Sequence, residues 1–142
     1  MIYTKATKEA LKLCFAAHKE QKDKSGLPYI HHPLHLAEQM PDEDTTVVAL
    51  LHDVVEDSSY TLQDLRDRGF SPRVVEAVAL MTHDPHIDYM DYVAKIKGNP
   101  IARVVKLADL RHNSDLTRLD TVDEKALARV EKYKKAIAFL EK

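Results

Sequence analysis

One imidazole and three carboxylates are packed into a single apolar stretch of this chain, Ala49-Leu50-Leu51-His52-Asp53-Val54-Val55-Glu56-Asp57. On a helix, with about 100° between successive residues, Val47, Val48, Leu50, Leu51, Val54 and Val55 fill one side. His52, Asp53, Glu56 and Asp57 fill the other, with His52 stacked on Glu56 and Asp53 on Asp57 at the i, i+4 spacing. No cation stands among them. Two readings suit such a face: the solvated side of an amphipathic helix, or a site where a divalent metal takes neutral imidazole and carboxylate oxygen as ligands.

Asp109 offers a second carboxylate of interest. Its helical neighbours Ala102, Val105 and Ala108 surround it with apolar groups, and a carboxylate in such a setting requires a partner. A salt bridge to Arg103 or Lys106, a backbone cap and a metal are the available partners. Asn113 lies one turn on, within reach of the same point. His32 precedes Pro33 beside a loop and is one of eight histidines, so it suits a surface position as readily as a ligand position.

The elements that must position these residues read as helices throughout. Six prolines and three glycines act as boundaries, and the segments between them carry helical rather than alternating periodicity. The first helix is expected over about Thr4 to Lys22, followed by the polar loop Lys22 to Pro28 that Gly26 and Pro28 keep from being helix. His32 is expected as the cap of a short second helix with Pro33 at its first position and Pro41 closing it. The acidic stretch forms one helix from about Asp44 to Asp57. Thr61 to Asp64 is a capping box, Gly69 a stop, and Ser71-Pro72 a start running to Thr82. Asp84-Pro85 interrupts; a helix over Asp88 to Lys97 ends at Gly98; Asn99-Pro100 caps another running to Asn113. Thr121 to Glu124 reads as a second capping box before a charged C-terminal helix. With no repeat or linker, the 142 residues are expected as a single all-α domain, 1–142.

Composition excludes several classes of function. Hydrophobic residues make up 44% and charged residues 31%, ordinary for a soluble protein, and a net charge of −2 provides no basic field for nucleic acid or a membrane surface. The lone Cys14 can form no internal disulfide and no zinc cluster with other cysteines, which leaves core packing. No run is long enough to span a membrane, and the N-terminus, with Lys5 and Lys8 among ordinary residues, lacks a secretory apolar segment; a cytoplasmic protein is expected. Nothing in the chain specifies an oligomeric state.

Taken together, His32, then His52-Asp53, then Asp109 resemble the His, His, Asp and Asp metal-ligand order of the HD-domain phosphohydrolases. Three longer words, Lys24-Ser25-Gly26-Leu27-Pro28-Tyr29-Ile30-His31-His32-Pro33, Ala49 to Asp57, and Lys106-Leu107-Ala108-Asp109 to Asn113, look like the hydrolase half of RelA/SpoT-type alarmone enzymes. In length the chain is similar to the small stand-alone alarmone hydrolases. The resemblance, which extends over about Ala17 to Asn113, implies an all-helical HD fold and one metal, typically Mn2+, on His32, His52, Asp53 and Asp109. It implies that Glu56 and Asp57 handle the attacking water and that Lys24, Ser25 and Asn113 contact the nucleotide. The implied reaction releases pyrophosphate from the 3′ position of guanosine 3′,5′-bis(diphosphate), ppGpp, giving GDP. The alternatives are an HD hydrolase acting on a nucleoside monophosphate or an NADPH-type cofactor, and a nucleotide-binding sensor without turnover.

Three positions depart from that family's pattern. Asp23 stands where Arg is usual before Ser-Gly, His83 where Lys is usual after Thr82, and Leu110 where Arg is usual after Asp109. Each removes positive charge from the expected substrate region, with Asp23 expected to repel phosphate there and Lys22 and Lys24 flanking it. The metal centre is expected to be standard and the substrate site altered.

Overall fold

The computed structural model describes residues 1–142. The chain folds into α1 (Lys5–His18), α2 (His31–Glu38), α3 (Glu43–Leu51), α4 (Val54–Asp57), α5 (Leu62–Asp67), α6 (Pro72–Met81), α7 (Tyr89–Lys97), α8 (Pro100–Asn113) and α9 (Glu124–Glu141), with a 3-10 turn at Leu116–Arg118. There is no strand, only an isolated bridge between Lys22 and Pro28.

Helix α3 is the axis of the molecule, since α1, α2, α6 and α8 all pack against it. Every residue from Thr45 to Leu51 is buried, so the helix is enclosed on all sides, not along one stripe. A core of 28 buried residues draws on all nine helices, and Cys14 lies within it. No helix is long and apolar enough to cross a membrane.

Most helix starts follow their expected caps. The Thr61 hydroxyl and Asp64 form a reciprocal capping box, Ser71 caps α6 ahead of Pro72, and the Asn99 side chain accepts from the Ile101 and Ala102 N–H groups ahead of Pro100. Gly69, at φ 87°, ends α5 in a conformation that side chains disfavour.

The structure corrects four local expectations. Helix α1 ends at His18 rather than Lys22, because the chain turns into the 21–29 loop, whose Gln21 carbonyl accepts from Tyr29 N–H at 2.9 Å. Helix α2 begins at His31, so His32 is its second residue instead of its cap; Pro33, third in the helix, is still in the first turn, where a missing N–H costs nothing. At α9 the cap is Asp123, which accepts from Ala126 N–H at 2.8 Å, in place of the Thr121 box.

The fourth correction bears on the site. The stretch Asp44 to Asp57 is not one helix: α3 stops at Leu51, and α4 begins after Asp53, whose backbone sits at φ −107°, ψ 1°. His52 Nδ1 donates to the Ala49 carbonyl at 2.7 Å, occupying the acceptor that the next helical N–H would have used. The break undoes the simple stacking of His52 on Glu56. It lets His52 point inward while Glu56 and Asp57 reach solvent.

Candidate metal centre

His32 comes from α2, His52 from the position just after α3, and Asp109 from the C-terminal half of α8. The two histidines are each 1% exposed and Asp109 5%. One ligand atom from each of the three falls within 4.8 Å of the others. His32 Nε2 is 2.9 Å and His52 Nε2 3.5 Å from Asp109 Oδ1. Asp53 stands beside this group, its Oδ2 3.0 Å from His52 Nε2 and engaged by the hydroxyl of Tyr29.

The donor set suits a cation. Because His52 Nδ1 donates to Ala49, its Nε2 carries the lone pair in the neutral ring, and that buried atom has no well-aligned hydrogen-bond partner. It faces the carboxylate oxygens of Asp53 and Asp109, which are acceptors too. An acceptor surrounded by acceptors calls for positive charge, and two imidazoles with carboxylate oxygens are ligands for a divalent ion. Burial opposes charge on His52, yet the Asp53 and Asp109 carboxylates outweigh it and raise its pKa well above the usual imidazole value. For His32 burial wins over Asp109, and its pKa is lowered.

Asp109 is balanced from its own helix. Lys106 Nζ donates to Oδ2 at 2.9 Å and Asn113 Nδ2 to Oδ1 at 3.1 Å. Desolvation pushes against the carboxylate, but Lys106 and the two histidines hold its pKa well below the ordinary range. The Lys106 pairing and the histidine cluster therefore coexist on one side chain.

Glu56 and Asp57 lie on the rim. Glu56 Oε1 accepts from the His83 N–H at 2.9 Å, and Asp57 Oδ2 from Gln21 Nε2 at 3.2 Å. Partial burial, reinforced by the nearby Asp53 charge, raises the pKa of both.

A cleft runs past these groups. Lys24, Ser25 and Asn113 line a cavity of about 320 Å³ together with Arg118, Arg129 and Tyr133. A second cavity, of about 160 Å³, is lined by Glu56, His83, Asp109, Lys106 and Lys132. Asn113 and Tyr133 belong to both, so the two adjoin on either side of them. Ser25 also ties its loop down, its hydroxyl donating to the Arg118 carbonyl at 2.7 Å.

The three departures are integrated into the fold. Asp23 turns inward: Oδ1 accepts from Ser25 and Leu27 N–H, Oδ2 lies 2.9 Å from His31 Nε2, and Arg118 stands 3.9 Å away. Its charge is thus spent on its own loop, and Arg118 supplies a cation to the same cavity wall. His83 lies between Ile87, whose carbonyl is 2.9 Å from Nε2, and the Tyr92 ring. Leu110 is buried in the core, and Arg111 pairs at the surface with Glu141 at 3.7 Å.

Sequence reasoning passed over Tyr29, His112 and Arg118. Tyr29 bonds Asp53 while its ring packs between His18 and His32. His112 Nδ1 lies 2.7 Å from His32 Nδ1, and burial together with Arg118 lowers its pKa to about 3. The signal for His112 was its place three residues beyond Asp109, on nearly the same helix face. Arg118 carried none, because only the turn at Leu116–Arg118 brings it back.

The sequence profile of the HD domain matches residues 10–141. The chain belongs to the HD domain family. Within that family it is 36% identical over 130 residues to a guanosine-3′,5′-bis(diphosphate) 3′-pyrophosphohydrolase of Aquifex aeolicus, a match covering 83% of this chain and 17% of that protein. It is 39% identical over 109 residues to a GTP pyrophosphokinase of Streptomyces coelicolor, covering 68% of this chain and 13% of that one. The chain thus spans less than a fifth of the length of these relatives. A solved structure, described as a metazoan SpoT orthologue that hydrolyses ppGpp, shares the fold at a TM-score of 0.76 and 23% identity, over 99% of this chain and 87% of that one.

Proposed function

We propose that this chain is a metal-dependent pyrophosphohydrolase that removes the 3′-pyrophosphate of guanosine 3′,5′-bis(diphosphate), leaving GDP, and that residues 1–142 work as one HD unit in the cytoplasm. The observation that carries this reading is the buried convergence of His32, His52 and Asp109, with Asp109 also reaching the wall of a cavity that Glu56, Lys106 and Lys132 line. The Aquifex relative, named for this reaction, supports the substrate.

In this reading His32, His52, Asp53 and Asp109 hold one divalent cation, Mn2+, with Tyr29 fixing the Asp53 carboxylate and Lys106 and Asn113 fixing Asp109. Such a cation, when bound, lowers the pKa of a water and offsets charge growing on phosphorus. Glu56 accepts the proton of the attacking water; its raised pKa brings it closer to neutrality, where a general base is most effective. Asp57, tethered by Gln21, helps to orient that water. Lys24, Ser25 and Asn113 bind the nucleotide in the larger cavity, where Arg118 and Arg129 add the charge that phosphate requires.

Purified protein incubated with a nucleotide panel, with Mn2+ or after chelation, tests this when pyrophosphate and orthophosphate are counted separately. Manganese-dependent pyrophosphate from the guanosine 3′-diphosphate substrate is the expected result. Orthophosphate from a nucleoside monophosphate or a phosphorylated dinucleotide cofactor would move the activity to another substrate. Nucleotide binding with no product of either kind would make the protein a sensor.

A further inference from the structure

We infer that His112 is a positioning residue for the metal centre: its Nδ1 accepts the hydrogen bond of His32 Nδ1–H and so turns the Nε2 lone pair of His32 toward the cation. The inference rests on the proposed metal site and adds to it a residue outside the ligand set.

A neutral imidazole has one proton for two nitrogens. His32 Nε2 is the nitrogen that lies in the cluster, 2.9 Å from Asp109 Oδ1, so a cation bound there requires the proton on Nδ1. In a residue 1% exposed, that N–H needs an acceptor inside the protein. His112 Nδ1, at 2.7 Å, is the atom facing it. The two ring planes are 4° apart with centroids 5.0 Å from each other, a separation that accommodates the bond and both ring radii end to end. The hydrogen bond therefore lies in the plane of both rings, as a nitrogen lone pair requires; a face-to-face stack would put the nitrogens out of line.

The partner ligand solves the same problem differently. His52 gives its Nδ1 proton to the backbone carbonyl of Ala49, also at 2.7 Å. A backbone acceptor is independent of side-chain identity, whereas the acceptor for His32 is a side chain and can be removed by substitution. His112 is itself held in place. The His35 ring lies 4.1 Å from it at 30°, His31 meets it edge-on at 5.8 Å, and Arg118 Nη1 donates to its backbone carbonyl at 3.0 Å. Substitution of an outer-shell partner of this kind typically weakens metal binding 10- to 100-fold.

The test titrates Mn2+ alone, by calorimetry, into wild type, His112→Phe and His112→Asn. Phe keeps a ring against His35 but offers no acceptor, and its affinity is expected to fall about 10- to 100-fold. Asn sets a side-chain oxygen near the position of Nδ1 and is expected to recover most of that loss. Thermal midpoints measured in chelator separate a packing defect from a metal defect. Wild-type affinity in His112→Phe, or an Asn variant as weak as Phe, overturns the acceptor role while leaving the metal site standing. Wild type that binds no Mn2+ overturns the metal reading and this inference with it. Imidazole 15N–1H spectra of the wild type with diamagnetic Zn2+ read the tautomers without any variant. His32 protonated at Nδ1 and His112 at Nε2 is the expected pair, and the reverse on His32 refutes the proposal.

Discussion

Glu56 and Asp23 are both acidic residues near the cleft, and their hydrogen bonds give them opposite roles. Glu56 has one oxygen held by the His83 N–H and reaches solvent, which leaves it able to take a proton. Glu56→Gln preserves the shape and removes that ability, so turnover is expected to fall about 100-fold or more with metal content unchanged, measured by product release and metal analysis. Full turnover in Glu56→Gln would pass the role of base to Asp57. Asp23, by contrast, has both oxygens occupied, by the Ser25 and Leu27 N–H groups of its loop and by His31 at the start of α2; burial opposes its charge, but these partners outweigh it and lower its pKa. Asp23→Arg is expected to cost on the order of 1 to 3 kcal/mol through the lost loop bonds, as read by denaturant unfolding. It should also raise the Michaelis constant, since the loop carrying Lys24 and Ser25 loses its anchor. A lower Michaelis constant in this variant would mean that the guanidinium reaches the nucleotide despite the lost anchor.

At the scale of elements, α3 and its break after Leu51 determine where His52 and Asp53 point. The helix is started by Asp42, whose carboxylate accepts from the Thr45 hydroxyl at 2.7 Å and the Thr45 N–H at 2.9 Å; the hydroxyl is the larger cause of its lowered pKa. A lowered folded-state pKa means that the cap stabilises the fold fully above the unfolded value, about 3.9, and less as pH falls through the folded value. Asp42→Ala is therefore expected to lose about 1 kcal/mol near neutral pH. The gap between variant and wild type should narrow at acid pH, as the solution passes below the unfolded value and through the lowered folded one. Urea unfolding at both pH values measures this, and a gap that stays constant would assign the loss to helix propensity, not to the charged cap.

At the scale of the molecule, the three converging candidate ligands come from α2, the residue after α3, and α8, with His32 and Asp109 77 residues apart in sequence. A cation held among them ties these elements together only in the folded state. Mn2+ at about 100 times its dissociation constant is expected to stabilise the protein by about 2.7 kcal/mol, and chelator to remove that increment. His52→Ala should abolish the Mn2+ response in a thermal melt while its stability in chelator reports only the packing change. A metal-induced shift that survives in His52→Ala would place the cation elsewhere.

The helical class and the caps at Thr61, Ser71 and Asn99 were legible in the sequence, because periodicity and capping are local properties of neighbouring residues, whereas His32, His52, Asp53 and Asp109 were gathered as candidate ligands only by their resemblance to a known motif order. The break at His52-Asp53 was not legible, since it depends on an imidazole competing for the Ala49 carbonyl in a buried helix that periodicity presented as amphipathic. The inward role of Asp23 was hidden for a similar reason: its partners His31 and Arg118 reach it only once α2 and the 116–118 turn are in place. Burial on all sides of α3, the in-plane bond from His32 to His112 and the pairing of Tyr29 with Asp53 join residues 24 to 80 positions apart. Such contacts form when distant helices enclose a common core, which no local pattern encodes, and tertiary structure alone decided them.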